Sequence, residues 1–166
     1  MLEKQVKTAF LAIGSNLGEK KKYIELAKFQ LKKNNIKIIK SSKNYETLSW
    51  PNKKNPKFIN VALKIQTSLS PSKLMKKCLD IEKKLGRSRD KKNDPRTCDI
   101  DIIDYDRKIT KKENLIIPHP KMHKRNFVLL PLYEITKTWI HPIKKKTIKD
   151  LINSLKTKEL RTIKLI

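Results

Sequence analysis

Between Pro95 and Ile103 the chain reads Pro-Arg-Thr-Cys-Asp-Ile-Asp-Ile-Ile, and this stretch constrains the fold more than any other. Cys98, Ile100 and Ile102 alternate with Asp99 and Asp101, the period of two expected of a strand with one face in a core. Alternate side chains leave opposite faces, so both carboxylates project from the wetter face, close enough to share a hard cation. Arg96 stands just ahead of them, behind a proline that favours extended chain. Oxygen ligands and a planar guanidinium fork suit a site for metal and phosphate. An isolated Asp-x-Asp is more often a solvated acidic edge strand, so the motif needs company.

The flanking pattern supplies a scaffold. Thr8 to Ile13 is an apolar run of strand length that ends in Gly14-Ser15-Asn16-Leu17-Gly18, a turn rich in permissive residues. Glu19 to about Asn34 has the spacing of an amphipathic helix, and Asn34-Asn35 breaks it. Ile36 to Leu48 reads as a strand with a polar centre. Ser49 to Lys57 holds two prolines, two asparagines and three lysines, the composition of a working loop, and carries an exposed-looking Trp50.

Phe58 to Thr67 returns as a strand, with Ile59, Val61, Leu63 and Ile65 on one face and Phe58, Asn60 and Ala62 on the other. Ser70 caps a helix with Pro71 at its first position, and Gly86 ends it. Arg87 to Asp94 is a polar loop with no apolar anchor. Asp104 to Lys108 reads as a turn and Asn114 to Ile117 as a short strand. Phe127 to Ile135 reads as a helix around Pro131, Lys149 to Leu155 as another, and Leu160 to Ile166 as a last strand. The order β-α-β-β-α-β predicts an α+β, ferredoxin-like core: a mostly antiparallel sheet with helices packed on it.

At 166 residues the chain reads as a single domain, residues 1–166, able to bury roughly 70% of its unfolded surface. It has no apolar run of membrane-spanning length and no signal-peptide core, so no membrane partner is expected. Cys78 and Cys98 form no disulfide framework and suit a reducing, cytoplasmic setting. The net charge of +25 first suggests nucleic acid. Nearly all of it is lysine, spread along the chain beside abundant isoleucine and asparagine, which points to codon drift rather than a binding stripe. The six arginines, Arg87, Arg89, Arg96, Arg107, Arg125 and Arg161, are therefore the more informative cations.

Other chemistries fail on spacing. An EF-hand beginning at Asp99 would need glycine at Asp104 and glutamate at Thr110. His119 and His123 flank Pro120 without the glutamate of a zinc-protease helix. With only three glycines no phosphate-cradling loop can be built, so phosphates must be gripped by Arg87, Arg89, Arg96 and Arg125, with His119 as a further donor. Judged singly, His119 is as readily a structural loop histidine and Arg125 a solvated cation. An RNA-binding module on the same scaffold is the rival reading. It would need stacking aromatics on central strands, and Phe10, Phe58 and Tyr105 form no such pair.

In combination the motifs are specific: Ala-Ile-Gly-Ser-Asn-Leu-Gly at 12–18, Phe58-Ile59-Asn60, Glu82 with Gly86-Arg87, Pro95-Arg96-Thr97-x-Asp99-x-Asp101-Ile102, Pro118-His119, and Arg125-x-Phe127 before Pro131-Leu132-Tyr133-Glu134-Ile135. This pattern resembles the hydroxymethyl-dihydropterin pyrophosphokinases of folate biosynthesis, from the first strand to about Ile135. The resemblance implies transfer of the ATP pyrophosphoryl group to the pterin hydroxymethyl oxygen, giving AMP. It implies two Mg²⁺ ions on Asp99 and Asp101, and Arg87 and Arg96 as catalytic residues of a loop closing over ATP. Glu82, Arg89, Ile102, His119 and Arg125 would line the nucleotide side. Thr47, Phe58, Asn60 and Phe127 would hold the pterin, the two aromatics sandwiching its ring. The expected partners are small molecules only, and the expected state is a monomer. Asn93 and Asp94 stand where the family often has tryptophan and glycine. Leu79, Asn114 and Pro120 replace a common glutamine, arginine and tyrosine.

Overall fold

Two apolar faces on the same strands dictate a sheet buried from both sides, and the computed structural model, which describes residues 4–88 and 90–166, has that form. Strand β1 (Lys7–Ser15) leads into helix α1 (Lys20–Lys33), then β2 (Lys37–Ser41), β3 (Tyr45–Thr47) and β4 (Phe58–Thr67). Helix α2 (Pro71–Lys84) precedes β5 (Asp99–Tyr105), and the hairpin β6 (Thr110–Lys112) and β7 (Leu115–Ile117) follows. Helices α3 (Asn126–Ile135), α4 (Ile148–Asn153) and α5 (Thr157–Leu160) lead to the short β8 (Lys164–Leu165). The main sheet runs β5-β1-β4-β3-β8, with β2 also on β4, and all its pairings are antiparallel. The expected β-α-β-β-α-β order is present as β1-α1-β2/β3-β4-α2-β5.

Ala9, Leu11 and Ile13 of β1, Ile59 to Ile65 of β4 at alternate positions, and Ile100 and Ile102 of β5 pack against Ile24, Ala27 and Leu31 of α1 and Leu74, Cys78 and Ile81 of α2. On the other face Phe10, Ala62 and Ile103 meet Val128, Leu129, Leu132 and Ile135 of α3 and Ile148 and Leu151 of α4. Helix α3 covers only part of this second face. The uncovered remainder lies at the Gly14 end of β1, where a pocket opens over Ala12 and Gly14.

The helix punctuation is as read: Ser70 accepts from the Lys73 N–H at 3.3 Å behind Pro71, and Gly86 has a φ of +85° just past α2. Three expectations are corrected. Ile36 to Leu48 is two strands, because at Ser42 a side chain replaces half of the ladder: its N–H still donates to Ala62 O, but its Oγ, not its carbonyl, accepts from Ala62 N–H at 2.9 Å, and Lys43 N–H turns to Glu134. Asp104 and Tyr105 belong to β5, and the turn is Asp106-Arg107, both at positive φ. Leu160 ends α5, leaving a final strand of only two residues against β3.

Candidate active site

Asp99 and Asp101 lie opposite Gly14 and Ala12 of β1, and these in turn lie opposite Asn60 and Ala62 of β4. Small residues in the middle strand keep the floor low between the acidic pair and the β4 side chains. At Gly14 a Cβ would sit 3.1 Å from Asn60 Oδ1 and 3.3 Å from the Phe58 ring, so any larger residue would press on both side chains of the pocket wall. Beyond Asp101 the alternation breaks: the register shifts so that Leu11 pairs with Ile102 and Phe10 with Asp104, skipping Ile103. Ile103 and Asp104 therefore both turn toward α3. Asp104 is buried and accepts from Trp139 Nε1 at 2.8 Å, a structural aspartate outside the site.

The acidic pair is surrounded by cations. Arg87 Nη1 is 2.6 Å from Asp99 Oδ1 and 2.8 Å from Glu82 Oε1, and Arg96 Nε is 3.4 Å from Asp99 Oδ2. Glu82 is buried and accepts from the Ile100 N–H at 2.7 Å, so it ties α2 to the edge strand while holding Arg87. Arg125 Nη1 and His119 Nε2 are each 3.8 Å from Asp101 Oδ2. Burial, and then the charge of Asp99, push the Asp101 carboxyl up to about 7, while Arg125 pulls the other way. Burial and the neighbouring Arg125 push His119 down to about 4, so it is neutral at physiological pH. Its Nδ1 accepts from the Lys121 N–H at 3.2 Å, which places the ring proton on Nε2, facing Asp101.

Two adjoining pockets meet at this pair. One is lined by Thr47, Leu48, Trp50, Phe58, Asn60 and Phe127 over the Ala12-Gly14 floor. Asn60 Nδ2 donates to Thr47 Oγ1 at 2.9 Å, and both residues are buried. Glu134 accepts from Tyr45 Oη at 2.7 Å, tying α3 to β3, and Phe127 at the start of α3 lines the same pocket as Thr47, Phe58 and Asn60. The other pocket is polar, lined by Arg87, Ser88, Lys91, Lys92, Asp94 and His119. Asn93, Arg96, Asp99, Asp101 and Arg125 line both. Each arginine at the junction also covers an aromatic ring: Arg96 Cζ is 5.2 Å from the Phe58 centroid, and Arg125 Cζ is 5.4 Å from that of Phe127.

The expected site residues thus mostly converge. Thr47, Phe58, Asn60 and Phe127 share the first pocket, while Arg87 and His119 line the second, with Arg96, Asp99, Asp101 and Arg125 between. Ile102 is different: its side chain is buried in the core under α1 and α2, because it alternates with the aspartates. Glu82 acts from behind Asp99 rather than from the pocket wall. Arg89 lies outside the described residues. Trp50 and Asn93 were not among the expected site residues; Trp50, 63% exposed at the rim, was the one the loop composition had flagged.

A family model for 7,8-dihydro-6-hydroxymethylpterin-pyrophosphokinase (HPPK) matches residues 10–137. The chain belongs to this family. It is 38% identical over 143 residues to the 2-amino-4-hydroxy-6-hydroxymethyldihydropteridine pyrophosphokinase of Aquifex aeolicus, covering 86% of this chain and 89% of that protein. To its Bacillus subtilis counterpart it is 40% identical over 128 residues, 76% of this chain and 77% of the other. It is also 42% identical over 134 residues to the folic acid synthesis protein fol1 of Pneumocystis carinii, matching 81% of this chain but 18% of that longer protein. In fold it is similar to Plasmodium falciparum HPPK-DHPS crystallised with pterin and p-hydrobenzoate, at a TM-score of 0.75 and 16% identity, covering 100% of this chain and 49% of that one.

HPPK enzymes are diphosphotransferases, and the donor set can be tested against a metal-assisted reaction. Among the described residues no three His, Cys, Asp or Glu side chains converge to enclose an ion. Two carboxylates on one strand face, with the charged form of Asp101 disfavoured by burial and then by the charge of Asp99, can still exchange their guanidinium partners for a metal cation. That set fits Mg²⁺, which takes one or two carboxylates and completes its shell with water and substrate phosphates.

Proposed function

We propose that this chain transfers the pyrophosphoryl group of ATP to the hydroxymethyl oxygen of 6-hydroxymethyl-7,8-dihydropterin, releasing AMP, as a cytoplasmic, monomeric, Mg²⁺-dependent enzyme of folate biosynthesis. The observation that carries the reading is the junction: an aromatic, amide-lined pocket and a cationic pocket share a wall made of two aspartates and two arginines. A flat heteroaromatic needs stacking faces and a few hydrogen bonds, and a triphosphate needs cations. The bond to be made lies between them.

In this reading Phe58 and Phe127 take the faces of the pterin, and Asn60 with Thr47 its polar edge. The guanidiniums that rest on the rings, Arg96 and Arg125, turn toward phosphate oxygens. Asp99 and Asp101 would hold two Mg²⁺ ions, which when bound neutralise the polyphosphate and favour attack at phosphorus. The pterin hydroxyl oxygen forms a bond to the β-phosphorus as the bond from that phosphorus to the α-phosphate bridging oxygen breaks; the hydroxyl proton is lost to solvent and AMP departs. Arg87 and Arg96 stabilise the charge on the transferring group, and closure of the polar loop that follows α2 would keep water from competing as acceptor. His119, neutral and with its proton on Nε2, is suited to donate to a phosphate or nucleotide oxygen.

Incubation with ATP, Mg²⁺ and hydroxymethyl-dihydropterin, followed by nucleotide analysis, tests it: AMP is expected, and ADP or no turnover refutes it. The RNA-binding rival has no support from the sheet. Helices cover one face and α3 part of the other, which leaves a pocket rather than an open sheet on which bases could stack.

A further inference from the structure

The turn Gly14-Ser15-Asn16-Leu17-Gly18 contributes no side chain to the chemistry above, yet Asn16 is 2% exposed and fully engaged. Its backbone N–H donates to Arg96 O at 3.0 Å, and its Oδ1 accepts from the Arg96 N–H at 2.8 Å. Its Nδ2 donates to Ser49 Oγ at 3.2 Å and to Pro56 O at 3.1 Å. Ser49 and Pro56 are the two ends of the loop that carries Trp50 at the rim of the aromatic pocket.

We infer that Asn16 is a positioning residue that fixes Arg96 and closes the base of the Ser49–Pro56 loop, coupling the cationic and aromatic pockets through one buried amide. The inference deepens the proposed function and rests on it. A turn needs permissive backbone here, not a particular side chain, and a packing role would be served by an apolar residue. This amide uses its acceptor on the segment before β5 and its donors on both ends of the Ser49–Pro56 loop, which only asparagine does at this length. Arg96 stands where the two pockets meet, and displacement of such a group by about 1 Å can cost on the order of a hundredfold in rate.

Three variants of the full chain separate the two halves of the role. Asn16→Ala removes both. Asn16→Asp keeps an oxygen for the Arg96 N–H but loses the donors to the loop. Ser49→Ala loosens the loop alone. Asn16→Ala should lower kcat about tenfold or more and raise the pterin KM. Asn16→Asp should recover most of kcat but keep the raised pterin KM, and Ser49→Ala should raise the pterin KM with kcat unchanged. If Asn16→Ala does not fold, the contrast between the other two decides. Equal kcat in Asn16→Ala and wild type, or an unchanged pterin KM in both Asn16→Asp and Ser49→Ala, overturns the inference. Amide exchange measured without ligand gives a readout independent of turnover. The Arg96 amide should exchange faster in Asn16→Ala but not in Asn16→Asp, and residues 49–57 should exchange faster in all three variants. A wild type that makes no AMP refutes the function, whereas unaltered exchange in the variants refutes the positioning.

Discussion

Arg87→Ala puts the greatest weight on the proposed mechanism, because its structural and catalytic costs differ enough to be told apart. The Arg87 side chain is 13% exposed, with Nη1 at 2.6 Å from Asp99 and 2.8 Å from Glu82. Breaking a buried ion pair costs about 3–5 kcal/mol. The lower end applies here, since Asp99 remains about a quarter exposed and Glu82 keeps the Ile100 N–H. From a stability of about 5 kcal/mol, the low end of the usual range, a loss of ~3 kcal/mol leaves roughly 97% of molecules folded. Unfolding therefore lowers apparent kcat by only a few per cent. Loss of one preorganised donor to the transferring group costs about 10²–10³ in kcat. The catalytic effect wins by two orders of magnitude. Steady-state AMP release below the melting transition, paired with a thermal melt, measures both. The expected result is a lower Tm, a kcat reduced at least a hundredfold and a smaller change in the ATP KM. A folded Arg87→Ala with kcat within tenfold of wild type would refute the assignment, as would a loss confined to the ATP KM. Arg87→Lys should restore Tm more than kcat, since it returns a cation but not the planar fork.

Asp99→Ala and Asp101→Ala should each abolish turnover with the fold retained, checked by activity across a Mg²⁺ titration and by circular dichroism; near-normal turnover at saturating Mg²⁺ would remove the residue from the metal site. Phe58→Ala and Phe127→Ala should weaken pterin binding about two- to tenfold, from a stacking contribution of about 0.5–1.5 kcal/mol, with ATP binding less affected, as read by calorimetry. Amide exchange at Ser88 and 90–94 should slow when Mg²⁺ and an ATP analogue bind, by up to ~100-fold at a hundred times the dissociation constant, while Arg87 and Arg96, already bonded at Glu82 and Asn16, change little. No added protection would sink the closing loop. His141, pushed down to about 4 by burial and then by His123 and Lys144, binds its proton in the unfolded chain before the folded one. Stability present above pH ~6.5 should therefore fall as pH drops toward 4, by at most ~3 kcal/mol, and wild type minus His141→Asn in chemical denaturation should show that slope.

What could be read from sequence was whatever is encoded within a few residues of itself. The alternation at Cys98–Ile102 gave a strand with its acids on one face, and Ser70-Pro71 and Gly86 bracketed α2, because periods and caps are local. The order of these elements then gave the sheet. The misreadings all turn on partners distant in the chain. Ile36–Leu48 divides because Ser42 bonds Ala62 and Lys43 bonds Glu134. Asp104, read as part of a turn, stays in β5 and shares the Ile103 face, because a bulge opposite Phe10 and Leu11 of β1 interrupts the alternation there. Asn16 read as a turn residue because its partners lie 33, 40 and 80 positions away. Arg87 read as a loop cation because the carboxylate holding it sits a turn back on a helix whose facing strand had to be known first.

That last difference bears on how the site would take its ligands. Arg87, Arg96, Asp99, Arg125, His119 and Asp101 are one another's partners in the free protein, at 2.6–3.8 Å. Two of these arginines also shield the rings expected to stack on the pterin. On the proposed function, substrate binding is therefore an exchange of partners rather than the filling of a vacant charged pit. The carboxylates give up guanidiniums as they take cations, the guanidiniums take phosphate oxygens, and Phe58 and Phe127 exchange a guanidinium for a heteroaromatic face. An isolated Asp-Asp pair or a lone arginine cluster would be costly to hold on a half-buried strand without ligand. Interleaving the two signs removes that cost, and it makes each group's release depend on the arrival of the other's ligand. Coupling between the nucleotide and pterin pockets then follows from shared side chains, with no need for movement of the sheet that carries them.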